Sequence, residues 1–181
     1  MKVSRFTTIV LCAGMIFCLN ACSVFEKEEP EAPRDYLEEI QMHAQAFRFE
    51  AAMRSVDIEG IMSLVQFEIA DEVVFEGQSL CGFAPWYDDP ETGQPTITIV
   101  TSKTCWIDRP VEDNEALVFH ELGHIVLDRG HREGLLPNNS RPSIMIGTNL
   151  AGLYVGNAKE RRKYYVDELF NPDTPVPEWA E

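Results

Sequence analysis

The stretch that most constrains this chain runs from Val118 to His131: Val-Phe-His-Glu-Leu-Gly-His-Ile-Val-Leu-Asp-Arg-Gly-His. Three of the chain's four histidines fall within these fourteen residues. At helical spacing His120 and His124 are four apart, so both imidazoles project from one face, one turn from each other. Two imidazoles placed that way can share a tetrahedral zinc ion at nitrogen distances of about 2.0–2.1 Å. Glu121 is turned about 100° from His120, beside such a metal and not on it, where a carboxylate can act as a base. Ala116, Leu117, Phe119, Leu122, Ile125, Val126 and Leu127 make the helix apolar around much of its circumference. A helix of that kind is buried. It is expected to run from Pro110 to Arg129. Pro110 suits a first helical position, and Glu112 and Asp113 suit the positive end of the dipole.

The third ligand is expected to be His131, with Glu133, Glu160 and Glu168 as alternatives. A straight helix to Arg129 carries the chain about 7–8 Å past His124. The chain must then fold back at Gly130, which tolerates a sharp turn, or unwind earlier, near Leu127–Asp128.

The N-terminus reads as an export signal. Lys2 and Arg5 precede an apolar run, Ile9 to Leu19, too short to span a bilayer comfortably. It ends in Leu19-Asn20-Ala21-Cys22, which resembles the bacterial lipoprotein signal. That resemblance implies cleavage before Cys22 and lipidation of that residue, with residues 1–21 as the signal. Residues 22–34, with Glu26-Lys27-Glu28-Glu29-Pro30-Glu31, form an acidic, aperiodic tether. The Lys-Glu-Glu run is similar to the acidic export tag of surface lipoproteins in some Gram-negative bacteria. The protein is therefore expected to be lipid-anchored at the cell envelope, at the outer membrane or its surface.

Charge narrows the partners. The chain carries 15 Lys+Arg against 30 Asp+Glu, a net charge of −15. Without Lys2 and Arg5 the mature chain has 13 basic and 30 acidic side chains, a net of −17. So acidic a surface argues against nucleic acid and against electrostatic docking on anionic lipid. Of five cysteines, the resemblance to the lipoprotein signal implies that Cys12 and Cys18 would leave with the signal and Cys22 would be acylated, which leaves Cys81 and Cys105. Two cysteines in an oxidising compartment suggest one disulfide.

The folded part is expected to span residues 35–170 as one α+β domain, monomeric, with a Pro-rich extended tail over 171–181. Leu37, Ile40, Ala44, Phe47 and Ala51 recur at steps of three and four, predicting a first helix over Asp35–Ser55. His43 lies in it without an assigned role. Alternation predicts a strand over Ile61–Ile69, extended by Val73–Phe75 after a turn, and a second strand over Thr96–Thr101. Cys81–Gly93 reads as irregular, with a turn signal in Asp88-Asp89-Pro90-Glu91-Thr92-Gly93. His131–Ser143 reads as a polar loop. Asn157–Phe170 reads as a last helix capped by Asn157, with Lys159, Arg161, Arg162 and Lys163 forming a solvated face.

His120-Glu121-x-x-His124 is the shared helix motif of zinc metallopeptidases. With a later glycine, a third histidine and a downstream methionine, it resembles the metzincin clan. That resemblance implies a small domain whose few-stranded twisted sheet packs on a buried active-site helix flanked by N- and C-terminal helices. It implies Zn2+ held by His120, His124 and His131, Glu121 as general base, and Ser143-Ile144-Met145 as the methionine turn under the metal. The chain also resembles uncharacterised bacterial lipoproteins described as metallopeptidases. It departs from the clan where the clan has glycine three residues after the second histidine: here stands Leu127. The expected activity is hydrolysis of peptide bonds in peptides or proteins. The alternatives are a non-catalytic, zinc-containing surface-binding lipoprotein and a metallohydrolase acting on a non-peptide amide. The strand Thr96–Thr101 is expected at the cleft edge, where an extended peptide could pair with it.

Overall fold

The computed structural model describes residues 35–88, 95–107, 109–148 and 150–181, all within one compact unit, Asp35–Glu181. The export signal, Cys22, the tether and the turn signal at 89–93 lie outside the described residues. The described residues form a mixed α/β structure with five α-helices, a small four-stranded sheet and a separate hairpin. No described helix is long and apolar enough to cross a membrane.

Helix α1 spans Tyr36–Met53, and the Asp35 side chain accepts from the backbone N–H groups of Leu37 and Glu38, both at 3.1 Å. That cap satisfies two of the donors a helix start leaves open. Ile40, Ala44, Phe47 and Ala51 face inward as the spacing predicts, joined by His43, while Leu37 in the first turn is exposed. The strand expected from Ile61 begins later. Glu59–Met62 is instead a short helix, α2, and strand β1 covers Val65–Ala70. The reason lies in Ile58 and Met62, four apart and both buried, a helical pair that outweighs the apparent alternation through Ile61 and Ser63.

Strand β2 (Val73–Phe75) does not extend the sheet. It pairs antiparallel with β3 (Gln78–Leu80) alone, because Glu76 and Gly77 both take positive φ, 51° and 79°, the geometry of a tight two-residue hairpin turn. The segment expected to be irregular contributes β4 (Gly82–Phe83) and β5 (Trp86–Asp88), both antiparallel to β6 (Pro95–Ser102). On its other side β6 runs parallel to β1, in register from Val65↔Ile97 to Ala70↔Ser102. Strand β6 is thus interior and not an edge. Ile97 and Ile99 are fully buried, and Thr96 and Thr98 nearly so, which is what a strand covered on both sides requires.

A short helix α3 (Lys103–Trp106) places Cys105 in a disulfide with Cys81, the Cα atoms 5.4 Å apart. The expected bridge is present, and it ties the exit of β6 to the entry of β4. Helix α4 (Val111–Leu127) follows, with Pro110 as its cap residue and not its first helical residue. Phe119 of α4 meets Phe47 of α1 edge-on at 5.3 Å, a favoured aromatic geometry. Helix α4 also contacts β4, and α1 contacts β1, so the helix carrying His120 and His124 packs against both α1 and the sheet.

Helix α5 (Ala158–Phe170) closes the core with Tyr164, Tyr165, Val166 and Leu169. Asn157 stands at its cap, but its side chain makes no capping bond. The basic cluster is only partly a solvated face. Arg162 pairs with Glu115 of α4 and Glu50 of α1, each at 2.7 Å, and so links three helices. Residues 171–181 are docked and not free. Trp179 packs on Tyr164 and Tyr165, the Arg161 guanidinium lies 4.4 Å above the indole, and Asn138 donates to the carbonyls of Trp179 and Ala180. An indole with two tyrosines beneath it removes enough apolar surface from water to hold a short tail in place.

Candidate metal centre

The site is built on α4 and on the way α4 ends. His120 and His124 point from one face of the helix, with Nε2 atoms 3.0 Å apart. The helix runs to Leu127, and Asp128 then adopts left-handed backbone, φ 51° and ψ 39°. The backbone N–H groups of Asp128 and Arg129 both turn back to the carbonyl of Gly123. The reversal is therefore made at Asp128, not Gly130, and it follows the earlier-unwinding route. Aspartate is among the few residues that enter this region at modest cost. The turn brings His131 back, with its Nε2 3.2 Å from that of His124. The ligand atoms of the three histidines lie within 4.8 Å of one another, and they are the group among the described residues that could hold a metal ion.

The ring tautomers are set from behind. Nδ1 of His120 donates to the Ile144 carbonyl at 2.9 Å, and Nδ1 of His124 donates to the Arg129 carbonyl at 2.6 Å. A ring that carries its proton on Nδ1 presents a bare lone pair at Nε2. Burial holds His120 down to about 4, against the opposing bond to Ile144 and with help from the neighbouring histidines. Burial also lowers His124. The Nε2 lone pairs of His120 and His124 therefore face each other at 3.0 Å, and Nε2 of His131 stands 3.2 Å from that of His124. Such pairs repel unless a cation lies between them. A tetrahedral ion about 2.0–2.1 Å from each nitrogen needs neighbouring ligand atoms about 3.3 Å apart. The donor set fits a metal ion.

No family model, curated protein or solved structure matches this chain. The residues themselves carry the reading.

Glu121 shares the cleft with the three histidines. The cleft holds about 550 Å³ and is bordered by β4, by Leu117 and Leu150, and by Arg109, whose guanidinium reaches Cys81 Sγ at 3.3 Å. Glu121 is buried, and burial alone pushes its carboxyl up to about 7. No basic side chain pairs with it among the described residues. Its carboxylate lies directly against Gly82, where any Cβ would collide with Oε1. The edge strand can approach the carboxylate that closely only as glycine. Gly147 plays a similar part beside the third histidine: a Cβ there would sit 2.8 Å from His131 Nδ1 and 2.8 Å from Glu133 Oε1.

The other expected site residues fall as follows. Met145 is fully buried beneath α4, its sulfur packed against Gly123 between the two helical ligands. It follows Ile144, whose carbonyl orients His120. The alternative ligands do not join the centre. Glu133 accepts from the Gly147 N–H at 3.1 Å, Glu160 borders a separate groove between α5 and the docked tail, and Glu168 is fully buried among arginines. The cleft edge is β4 and not Thr96–Thr101, because β4 lies outside β6 on that side. Gly82, Gly147 and the two orienting carbonyls do not stand out in the sequence. A backbone carbonyl leaves no mark in a sequence, but a glycine in an otherwise bulky loop can.

Proposed function

We propose that this protein is a zinc-dependent peptidase of metzincin-like fold, acting on peptides or proteins at the bacterial cell envelope. The observation that carries the reading is the placement, in one cleft, of three imidazoles with convergent ring nitrogens and a buried carboxylate that no basic side chain pairs with among the described residues. Zinc suits a set of neutral imidazoles. A structural zinc site is closed by four protein ligands, and three donors converge here among the described residues. A purely structural centre also has no use for Glu121. The envelope location rests on the features around Cys22.

When bound, zinc supplies a Lewis acid that polarises a carbonyl and makes water acidic near neutral pH. The rest falls to the chain. The carbonyls of Ile144 and Arg129 hold His120 and His124 in their binding tautomers. Glu121 takes a proton from the water that attacks the scissile carbonyl and returns it to the leaving amine as the C–N bond breaks. Glu121 has no basic partner among the described residues to hold its charge in place, which suits a carboxylate that accepts and then releases a proton. An extended substrate would lie along the outer edge of β4, beside Glu121 and over Gly82, adding a strand to the sheet.

The test uses the chain from residue 23, which leaves out the cysteine expected to be lipidated, with zinc stoichiometry and a broad peptide mixture. One zinc per chain is expected, together with peptide cleavage that falls by about 10²–10⁴ in Glu121→Gln while zinc is retained. Cleavage undiminished in that variant would falsify the mechanism. Zinc retained with no peptide cleaved by the wild type would point to a binding lipoprotein or to a non-peptide amide substrate.

A further inference from the structure

Glu168 of α5 is fully buried, and its carboxylate faces the loops behind the metal centre. Oε1 accepts from Arg129 Nη2 at 2.7 Å and Arg132 Nη1 at 2.8 Å, while Oε2 accepts from Ser143 Oγ. An isolated buried carboxylate is costly, and three donors, two of them cationic, offset that cost. The position of those donors is the informative part. Arg129 supplies the carbonyl that orients His124. Ser143 directly precedes Ile144, whose carbonyl orients His120. Arg132 directly follows His131. Each histidine is thus within one residue of a group held by Glu168, or bonded to the backbone of one or of its neighbour.

The loops are also joined to each other. Ser143 Oγ accepts from the Met145 N–H at 2.9 Å, and the Arg132 N–H donates to the Met145 carbonyl at 2.6 Å. The Arg129 guanidinium donates further to the carbonyls of Glu168 and Leu169, at 2.7 and 2.5 Å. A single carboxylate on a distant helix therefore meets both the turn after α4 and the turn at Met145, the two segments that aim the rings.

We infer that Glu168 is a positioning residue for the metal centre, holding the two ring-orienting carbonyls and the neighbour of His131 in one arrangement. It is a buttress and not a ligand. The inference rests on the three histidines binding zinc. A core ion pair with no such role would affect folding and leave the zinc affinity of the folded chain unchanged, and this difference sets the experiment.

The full chain, purified in detergent, is compared with Glu168→Gln in three measurements: zinc Kd by chelator competition, the absorption spectrum of the Co2+ form, and thermal unfolding without metal. Groups that orient ligands typically change metal affinity by about 10–100-fold. Zinc binding weaker by that factor is expected in a variant that still unfolds cooperatively, with a shifted Co2+ spectrum. Arg132→Gln and Ser143→Ala, which each remove one arm, should weaken zinc by smaller factors. A folded Glu168→Gln with wild-type spectrum and a Kd within about two-fold of wild type overturns the inference. If Glu168→Gln does not fold, wild-type affinity in both single-arm variants overturns it instead. Wild-type protein that binds no zinc overturns the metal reading itself, a separate result.

Discussion

The backbone carbonyl of Arg129 accepts a 2.6 Å hydrogen bond from Nδ1 of His124, five residues earlier and across the turn made at Asp128. Helix end and ligand tautomer are therefore one piece of geometry. Asp128 holds φ at 51°, a region that β-branched residues enter only with strain. Asp128→Val should lose about 1–2 kcal/mol of stability and weaken zinc binding, because the Arg129 carbonyl shifts with the turn. Asp128→Gly should stay within about 0.5 kcal/mol of wild type, relief of strain being offset by greater freedom of the unfolded chain. Urea titration and zinc competition on both variants check this, and equal zinc affinity in the valine variant would count against the coupling.

Gly147→Ala tests the third ligand without touching it. The added methyl would sit 2.8 Å from both His131 Nδ1 and Glu133 Oε1, so the exposed loop must give way. Because the loop is at the surface, the stability change should be below about 1 kcal/mol. Zinc affinity should fall by about ten-fold or more, since a ligand displaced from its geometry loses its bond. Unchanged affinity would place the third ligand elsewhere.

How much of the fold and site is legible in the sequence depends on the range of the interaction. Helices α1 and α4 follow from periodicity, because Ile40, Phe47 and Phe119 face a core whatever their partners are. The Cys81–Cys105 bridge is legible once the resemblance to a lipoprotein signal sets the other three of the five cysteines apart. The hairpin turn at Glu76–Gly77 and the helical pair Ile58–Met62 prevail in the fold, but in the sequence the apparent alternation around them hides them. The docking of Trp179 and the role of Glu168 are not legible. Their partners stand far away in the chain, as Ser143 does from Glu168 at 25 residues, and a lone Trp or Glu carries no sign of which loop it will meet. The His131 turn is half legible: the displaced Gly130 draws attention, while Asp128 makes the bend.

The disulfide should stabilise the domain substantially. It closes a loop with a sequence separation of 24, for which the chain-entropy model gives roughly 3–4 kcal/mol. Replacing Cys81 and Cys105 together by serine should lower the urea midpoint accordingly. Because Cys81 precedes Gly82 on the cleft edge, the same variant should lose peptide cleavage before it loses zinc. Cleavage undiminished in the folded double variant would show that β4 keeps its place without the bridge.

His43 gives the fold a dependence on pH that is separate from the metal centre. It is buried on the inner face of α1 beside Trp106, and its Nε2 has no partner among the described residues. Burial lowers its pKa and Arg162 adds to that, while Glu115 and Glu39 pull in the opposite direction. The folded chain therefore keeps His43 neutral at pH values where the unfolded chain, with a value near 6.5, takes up a proton. Below that pH the unfolded state binds more protons, so stability is full above about 6.5 and declines as pH falls. One such group contributes at most about 1.4 kcal/mol per pH unit. His43→Leu removes the titration and the unpaired nitrogen together. Urea unfolding of metal-free wild type and variant at pH 7.5 and 5.5 should show a smaller acid loss in the variant. The contributions of His120 and His124 are common to both chains and cancel in that comparison. Equal acid losses would show that the His43 proton equilibrium does not change on folding.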